Sequence, residues 1–181
     1  MDFGGKILVS RPSYQEQWFA NSAIFVYEHT PNGAAGLILN KDSNLTVSDL
    51  LRHRDIMYTG NEPVYKGGPV NQQAIIMLHS NEWQSENTHQ VNKDFSITSD
   101  ISMMQLLASG NKPRQWRMFV GMSGWGPGQL EDEYMGEGVF DKKNSWLVTS
   151  ATPALVYNYN GRDQWTKLVE QSGNEMFSQY F

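Results

Sequence analysis

The stretch SAIFVYEHTPNGAAGLILN, residues 22–40, places two apolar, β-branched runs on either side of Pro31-Asn32-Gly33. Residues 22–28 and 34–40 are predicted as strands, and Asn-Gly supplies the positive φ angles of a tight hairpin turn. Gly36, inside the second run, predicts a bulge or a close backbone approach. An antiparallel hairpin so early in the chain interrupts the steady βαβα rhythm of a doubly wound parallel sheet. The expected class is therefore α+β, with a mixed sheet.

On the N-terminal side, residues 6–9 predict a short strand stopped by Arg11-Pro12, and Ser13 is expected to cap a helical turn over 14–21 with Trp18 and Phe19 inward. On the C-terminal side, Thr46 with Asp49 three residues later is a capping box opening a helix. Residues 63–66 and 74–79 predict strands separated by GGPV, residues 67–70, and the polar segment 81–94 reads as an exposed excursion. A strand over 95–98 runs into Ser99-Asp100, the cap of a helix over 101–108 with Ile101, Met104 and Leu107 or Ala108 on one face. Gly110 stands just past its last turn. Strands are expected over 115–122 and 146–149. A final helix is expected over about 163–171, carrying Trp165, Leu168 and Val169, with Gly173 as its stop. The last eight residues are expected to be loosely held.

The 181 residues suit one domain and can bury roughly 70% of their unfolded surface without disulfides or a metal. With no cysteine, disulfides, thiolate zinc sites and cysteine nucleophiles are excluded, and a reducing cytosol is the expected compartment. MDFGGKILVSRP lacks a basic region followed by a long apolar core, so no secretory leader is expected. Runs such as AIFVY and AIIML are far shorter than a membrane span. Fourteen basic against 19 acidic residues, a net charge of −5, disfavours duplex DNA as a partner. The one tight basic cluster, Arg52-His53-Arg54, reads as a solvated helix end.

The glycine-rich stretch GMSGWGPGQLEDEY, residues 121–134, invites three chemical readings. A phosphate loop would want GxGxxG or GxxxxGK[ST]. Gly-Trp-Gly-Pro-Gly is neither, and Glu131, Asp132 and Glu133 would repel a phosphate while suiting the helix dipole. A nucleophile elbow on Ser123 would need a small residue where Trp125 stands. A metal site is not signalled either, because His29, His53, His79 and His89 match no ligand spacing and the acidic run points around a helix. What remains is a bend that starts a helix. His29 and His79, at strand ends, read as hydrogen-bonded structural residues. Trp125, among glycines, is the one aromatic expected to be exposed for contact.

Five segments together resemble the YqgE/AlgH family of small bacterial proteins: FANSAIFVYEH from 19, GAAGLILN from 33, VYKGGPV from 64, LHS from 78 and GWGPGQLEDE from 124. The resemblance covers about 5–173. It implies a single compact α+β domain whose curved, partly barrel-like sheet is flanked by helices, and a cytosolic setting. It implies no defined activity. Some members are labelled transcriptional regulators, a label derived from regulatory phenotypes rather than from a DNA-binding motif. Two departures stand out. Lys41-Asp42 replaces the usual Arg-Pro after Asn40, which predicts a looser exit turn. Met122-Ser123 replaces Tyr-Ala before Gly-Trp, so position 123 is not one where the family carries a hydroxyl.

The expected function is a non-catalytic binding or interaction protein with an indirect regulatory role, a protein or small molecule as partner, and no cofactor or metal. Its contact surface is expected where His29, Asn40, Gly67, Gly68, His79, Ser80, Trp125, Gln129 and Glu131 converge. The rival readings are a hydrolase or transferase, with His79 or His29 as base and Glu131 or Glu133 assisting, and a direct DNA regulator.

Overall fold

Strand β1, Lys6–Ser10, buries Ile7 and Val9 on one face of a sheet and Leu8 on the other. Because both faces are covered, it reads as a continuous apolar run rather than an alternating one. This is the pattern of the central sheet in the computed structural model, which describes residues 1–136 and 145–179. The remaining strands are β2 (Ala23–Thr30), β3 (Gly33–Ile38), β4 (Asp42–Thr46), β5 (Pro63–Lys66), β6 (Val70–His79), β7 (Thr88–Gln90), β8 (Ser96–Thr98), β9 (Trp116–Trp125) and β10 (Trp146–Ser150). The helices are α1 (Val47–Arg52), α2 (Ile101–Ala108), α3 (Gln129–Met135), α4 (Pro153–Tyr157) and α5 (Gly161–Ser178).

The main path of the sheet runs β10-β1-β2-β3-β9-β6-β8-β7, with β4 and β5 attached beside β9. Among the described residues β5 runs parallel to β9 and the other pairings are antiparallel. The sheet curls into a half-barrel, and the mixed α+β class expected from the hairpin holds. One core lies between the sheet and α4–α5, around Phe25, Leu37, Phe119, Trp165 and Leu168. A second lies under α1 and α2, around Leu51, Met77, Met103 and Met118. The third covers the opposite face of β1–β3, where Ile24, Val26, Trp125, Leu130 and Trp146 meet α3.

Strand β9 is the hinge of this topology. Its first half is flanked by β5, through Val64↔Met118 to Lys66↔Val120, and its last three residues by β3, through Gly36↔Ser123 to Ala34↔Trp125. The change of neighbour falls at Gly121, φ +75°, where Gly67 and Gly68 pack against its backbone. A Cβ on either Gly67 or Gly68 would collide with main-chain atoms of residues 121–123. The GG pair therefore lets three strands meet, and both glycines are buried.

Local signals were read well where the cause is local. Thr46 Oγ1 accepts from Asp49 N at 3.2 Å while Asp49 Oδ2 accepts from Thr46 N at 3.0 Å. Asp100 caps α2, and Arg52 closes the last turn of α1 with His53 as its C-cap. The bulge expected near Gly36 sits opposite it in β2, between Val26 and Glu28.

Other expectations are corrected. The hairpin turn centres on Pro31-Asn32, between the paired Thr30 and Gly33. Gly33 takes φ +136° and Asn32 does not adopt positive φ, because proline's fixed φ at the first central position excludes the primed turn. The helical turn in 14–21 starts at Glu16, whose carbonyl accepts from Phe19 and Ala20. Segment 81–94 is more than an excursion: Trp83 is buried in the second core and Thr88–Gln90 returns as a sheet edge. Ile101 is exposed, and Met103 takes the inward place beside Met104 and Leu107. Residues 116–125 are one strand, so the glycine-rich region is sheet up to Trp125 and bends only over 126–128. Helix α5 passes through Gly173 to Ser178, because Leu168 and Ser172 keep its inner face buried. Of the tail expected to be loose, 174–179 thus includes helix, and 180–181 lie outside the described residues. Lys41 ties the exit after Asn40, its Nζ donating to the carbonyl of Trp18 and, at 3.4 Å, to that of Gln17. Burial of this ammonium, with Lys66 nearby, lowers its pKa.

Candidate interaction site

The end of β9 delivers Trp125 into the third core, and residues 126–128 turn the chain into α3. Gly126 N donates to Gln129 Oε1 at 3.0 Å, and Gly128 takes φ +73° at the N-cap. Leu130, fully buried, pins the helix to the sheet. Residues two apart on a helix face different ways, so the acidic run divides its work. Glu133 turns inward, accepting from Trp125 Nε1 at 2.8 Å and Trp146 Nε1 at 3.4 Å. Glu131 turns to the hairpin and meets His29 Nε2 at 2.5 Å.

His29 is the centre of this corner. Phe3 N donates to its Nδ1 at 3.1 Å, and Asp2 Oδ1 lies 3.2 Å from the same nitrogen. The ring stands edge-on to Phe3, which stands edge-on to Tyr134. With Nδ1 accepting from Phe3 N, the ring donates its Nε2–H to Glu131. Burial works against ionisation of Glu131, but its own backbone N–H and His29 outweigh it and hold the carboxyl below the usual range. Asp2 is held low chiefly by the Gly4 N–H, then helped by His29. Beside this corner a shallow cavity of about 190 Å³ is lined by Glu28, Thr30, Asn32, Ala34, Ala35 and Trp125.

The nine residues singled out from sequence therefore fall into separate places. His29, Trp125, Gln129 and Glu131 come together. Trp125, only 8% exposed, is the floor of the corner rather than a contact residue, because β3 and α3 close over it. Gly67 and Gly68 lie midway along β9. Asn40 clamps loops, its Oδ1 accepting from Ala23 N at 3.0 Å and its Nδ2 donating to Asn21 and Gly161 carbonyls. His79 and Ser80 sit at the far end, where His79 pairs with Trp116. The ten residues of β9 put about 30 Å of strand between them and Trp125. Any site combining His79 with Glu131 or Glu133 is excluded by that distance. His29 with Glu131 is the combination the fold makes.

At the far end His79 is fully buried. Its Nδ1–H donates to the Ser80 carbonyl at 2.9 Å, and its Nε2 lies 2.7 Å from Thr98 Oγ1, a hydroxyl able to donate to a neutral ring. Burial lowers its pKa. Ser80 Oγ donates to Glu82 and accepts from Gln115 N. Ser123 is paired within β9 and fully buried, its hydroxyl donating to the Gly67 carbonyl at 3.1 Å. It is a strand residue and not an elbow.

Sequence reasoning missed Asp2 and Phe3, whose place depends on the N-terminal residues folding across β2. It also missed Arg117, which is 7% exposed and donates to the carbonyls of Leu39 and Tyr159 and to Gln164 Oε1. Its guanidinium lies 4.4 Å from the Tyr65 ring centroid. A charged residue inside an apolar β-run was the available signal. Among the described residues no three His, Asp or Glu side chains are placed to hold a metal, and no helix is long and apolar enough to cross a membrane.

The model of the AlgH-like family matches residues 7–177. The chain belongs to the AlgH-like family. A UPF0301 protein of Nitrosospira multiformis is 32% identical over 98% of this chain and 94% of its own length. Another, from Ruegeria pomeroyi, is 33% identical over 96% and 93%. The solution structure of AlgH from Pseudomonas aeruginosa superposes with a TM-score of 0.79 at 24% identity, covering 94% of this chain and 89% of that one. The crystal structure of DIP2367 from Corynebacterium diphtheriae gives 0.72 at 23% identity, covering 93% and 86%. These two likenesses concern the fold.

Proposed function

We propose that this AlgH-like chain is a non-catalytic binding protein of the cytoplasm, which meets a protein or small-molecule partner with the corner built by the hairpin tip and the 126–128 turn, and whose effect on gene expression is indirect. The observation that carries this reading is the saturation of its reactive side chains. Ser123, His79 and Glu133 are buried and bonded inside the fold, and His29 is engaged at both nitrogens. General acid–base work needs a group able to reach a substrate proton directly or through one water. By contrast, Glu28, Thr30, Asn32, Gly124 and Gly126 are exposed around the shallow cavity. The acidic residues there, with the net charge of −5, disfavour nucleic acid.

The test is a photo-crosslinking amino acid placed at Asn32, at the tip, and at exposed Lys93 as a reference, in living cells. A discrete adduct from position 32, absent from 93 and lost with Glu28→Lys, is the expected result. Equal adducts from both positions, or none from 32, reject this corner. Salt-sensitive retention of the purified protein on duplex DNA would favour a direct regulator instead.

A further inference from the structure

The chain contains two Asn-Gly pairs, Asn32-Gly33 at the hairpin tip and Asn160-Gly161 at the start of α5. In this dipeptide the asparagine side chain can react with the backbone, because glycine has no Cβ to shield its own nitrogen. The glycine nitrogen attacks the asparagine Cγ, the new C–N bond closes a five-membered succinimide, and the carboxamide nitrogen leaves as ammonia. Water then opens the ring at one of its two carbonyls, giving aspartate or isoaspartate. Ring closure needs rotation about the asparagine Cα–C bond until Cβ and the glycine nitrogen are nearly eclipsed. The rate therefore follows the freedom of that bond.

The fold treats the two pairs differently, although both asparagines are exposed. Asn160 is the N-cap residue of an 18-residue helix, with ψ 175°, far from the eclipsed arrangement. Its carbonyl accepts from Gln164 N at 3.0 Å, and the Gly161 carbonyl accepts from Asn40 Nδ2 at 3.0 Å. The preceding Tyr159 carbonyl accepts from Arg117 at 2.8 Å. Rotation at Asn160 would break the first turn of α5 and its tie to Arg117. Asn32, by contrast, stands in a two-residue turn closed by the pair Thr30↔Gly33. Its N–H donates to Thr30 Oγ1 at 3.1 Å, and its carboxamide has no hydrogen-bond partner among the described residues. Opening this tip breaks one terminal pair and one side-chain contact, and such tips lie at the low end of local opening free energies. That opening sets the rate.

We propose that Asn32 is a site of spontaneous conversion to aspartate and isoaspartate, with water consumed and ammonia released, and that Asn160 is protected by its place in the fold. The product changes the corner. A carboxylate at position 32 joins Glu28 around the shallow cavity that both residues line. Isoaspartate also adds a methylene to the main chain beside Gly33, which lies so close to β9 that a Cβ on it would come within 2.3 Å of the Trp125 carbonyl oxygen. On the reading that this corner meets a partner, the converted chain loses that contact. The conversion itself does not depend on that reading.

The test is peptide mapping of the full chain, with isoaspartate resolved, during incubation at neutral pH and physiological temperature, both folded and in guanidinium chloride. In the denaturant the two sites should convert at similar rates. In the folded chain Asn32 should convert at least about tenfold faster than Asn160, a barrier difference of about 1.4 kcal/mol. Thr30→Val removes the hydroxyl that holds Asn32 N–H, and should speed conversion at 32 without changing it at 160. Conversion of Asn160 as fast as Asn32 in the folded chain would overturn the proposal. So would an Asn32 that stays intact while the denatured chain converts. An unchanged rate in Thr30→Val would overturn the assignment of turn opening as the step that sets the rate. If Thr30→Val does not fold, the comparison of folded and denatured wild type still decides. Conversion at 32 together with no crosslinked partner from 32 would reject the partner surface and leave this site standing.

Discussion

The two ends of β9 solve the same problem in opposite ways. At the Trp116 end, Arg117 and His79 are withdrawn from water and satisfied almost wholly by neutral groups: carbonyls, Gln164, Thr98 and the Tyr65 face. At the Trp125 end, His29, whose side chain is 9% exposed, pairs with the half-exposed Glu131, and Glu133 is buried between two indoles. The first arrangement ties β3, β9 and the α4–α5 connection into one body. The second leaves polar groups within reach of solvent. Whether a strand-end histidine belongs to the fold or to a surface therefore depends on what packs over it, not on its position in the sequence.

This contrast predicts that the interior end dominates stability. Arg117→Ala strands the acceptors on Leu39, Gln164 and Tyr159 and removes the tie between β9 and α5. Urea denaturation should show a loss of about 3–4 kcal/mol. Arg117→Lys keeps the charge but not the fork, and should recover only part of it. A loss below about 1 kcal/mol for the alanine variant would mean that the two ends are not energetically distinct.

At the opposite end the buried element is the indole–carboxylate contact. Trp125→Phe keeps most of the ring and deletes the N–H that Glu133 accepts at 2.8 Å. A loss of about 1–2 kcal/mol is expected. A double-mutant cycle with Glu133→Gln should give a coupling of about 0.5 kcal/mol or more. No coupling would show that Trp125 contributes through packing alone.

Much of the fold could be read from neighbouring residues because its causes are neighbouring. The Thr46–Asp49 capping box, the Asp100-capped helix and the strand over Pro63–Lys66 need nothing beyond a few positions on either side. The site was less legible. The exposure of Trp125 was misjudged because the glycines around it look like a loop. Gly121 and Gly124 are strand residues, and Gly121 is there because β9 changes neighbours at Gly67. Nothing local tells that His29 and His79 lie at opposite ends of β9, since that follows from the β3-β9-β6 order. The passage of α5 through Gly173 is likewise tertiary, as packing outweighs glycine's low helix propensity.

His79 supplies a smaller effect with a definite sign. Its folded pKa is depressed by burial, so below the ordinary histidine value of about 6.5 the unfolded chain binds a proton that the folded chain resists. The contribution is present above that value and is lost as pH falls through it. Denaturation midpoints should therefore fall between about pH 7 and pH 5 in the wild type. His79→Gln, which can donate and accept in the same place, should show a flatter profile over that window. Parallel profiles would place the titrating group elsewhere.

The smallest effect belongs to the surface pair, and its smallness is informative. Glu131 is 40% exposed on its side chain and Asp2 81%, so solvent screens both contacts with His29. His29→Gln or Glu131→Gln should each cost less than about 1 kcal/mol, and the cost should shrink further in high salt. The pH dependence runs the same way as for His79 but over a lower window. Asp2 and Glu131 have folded pKa values below their unfolded ones, so their contribution is present above the ordinary carboxylate range near pH 4 and is lost on further acidification. His29→Gln should remove part of that acid-limb slope. A cost above about 2 kcal/mol would show that His29 anchors the N-terminal residues as firmly as Arg117 anchors α5, and would move this corner from a surface to a structural joint.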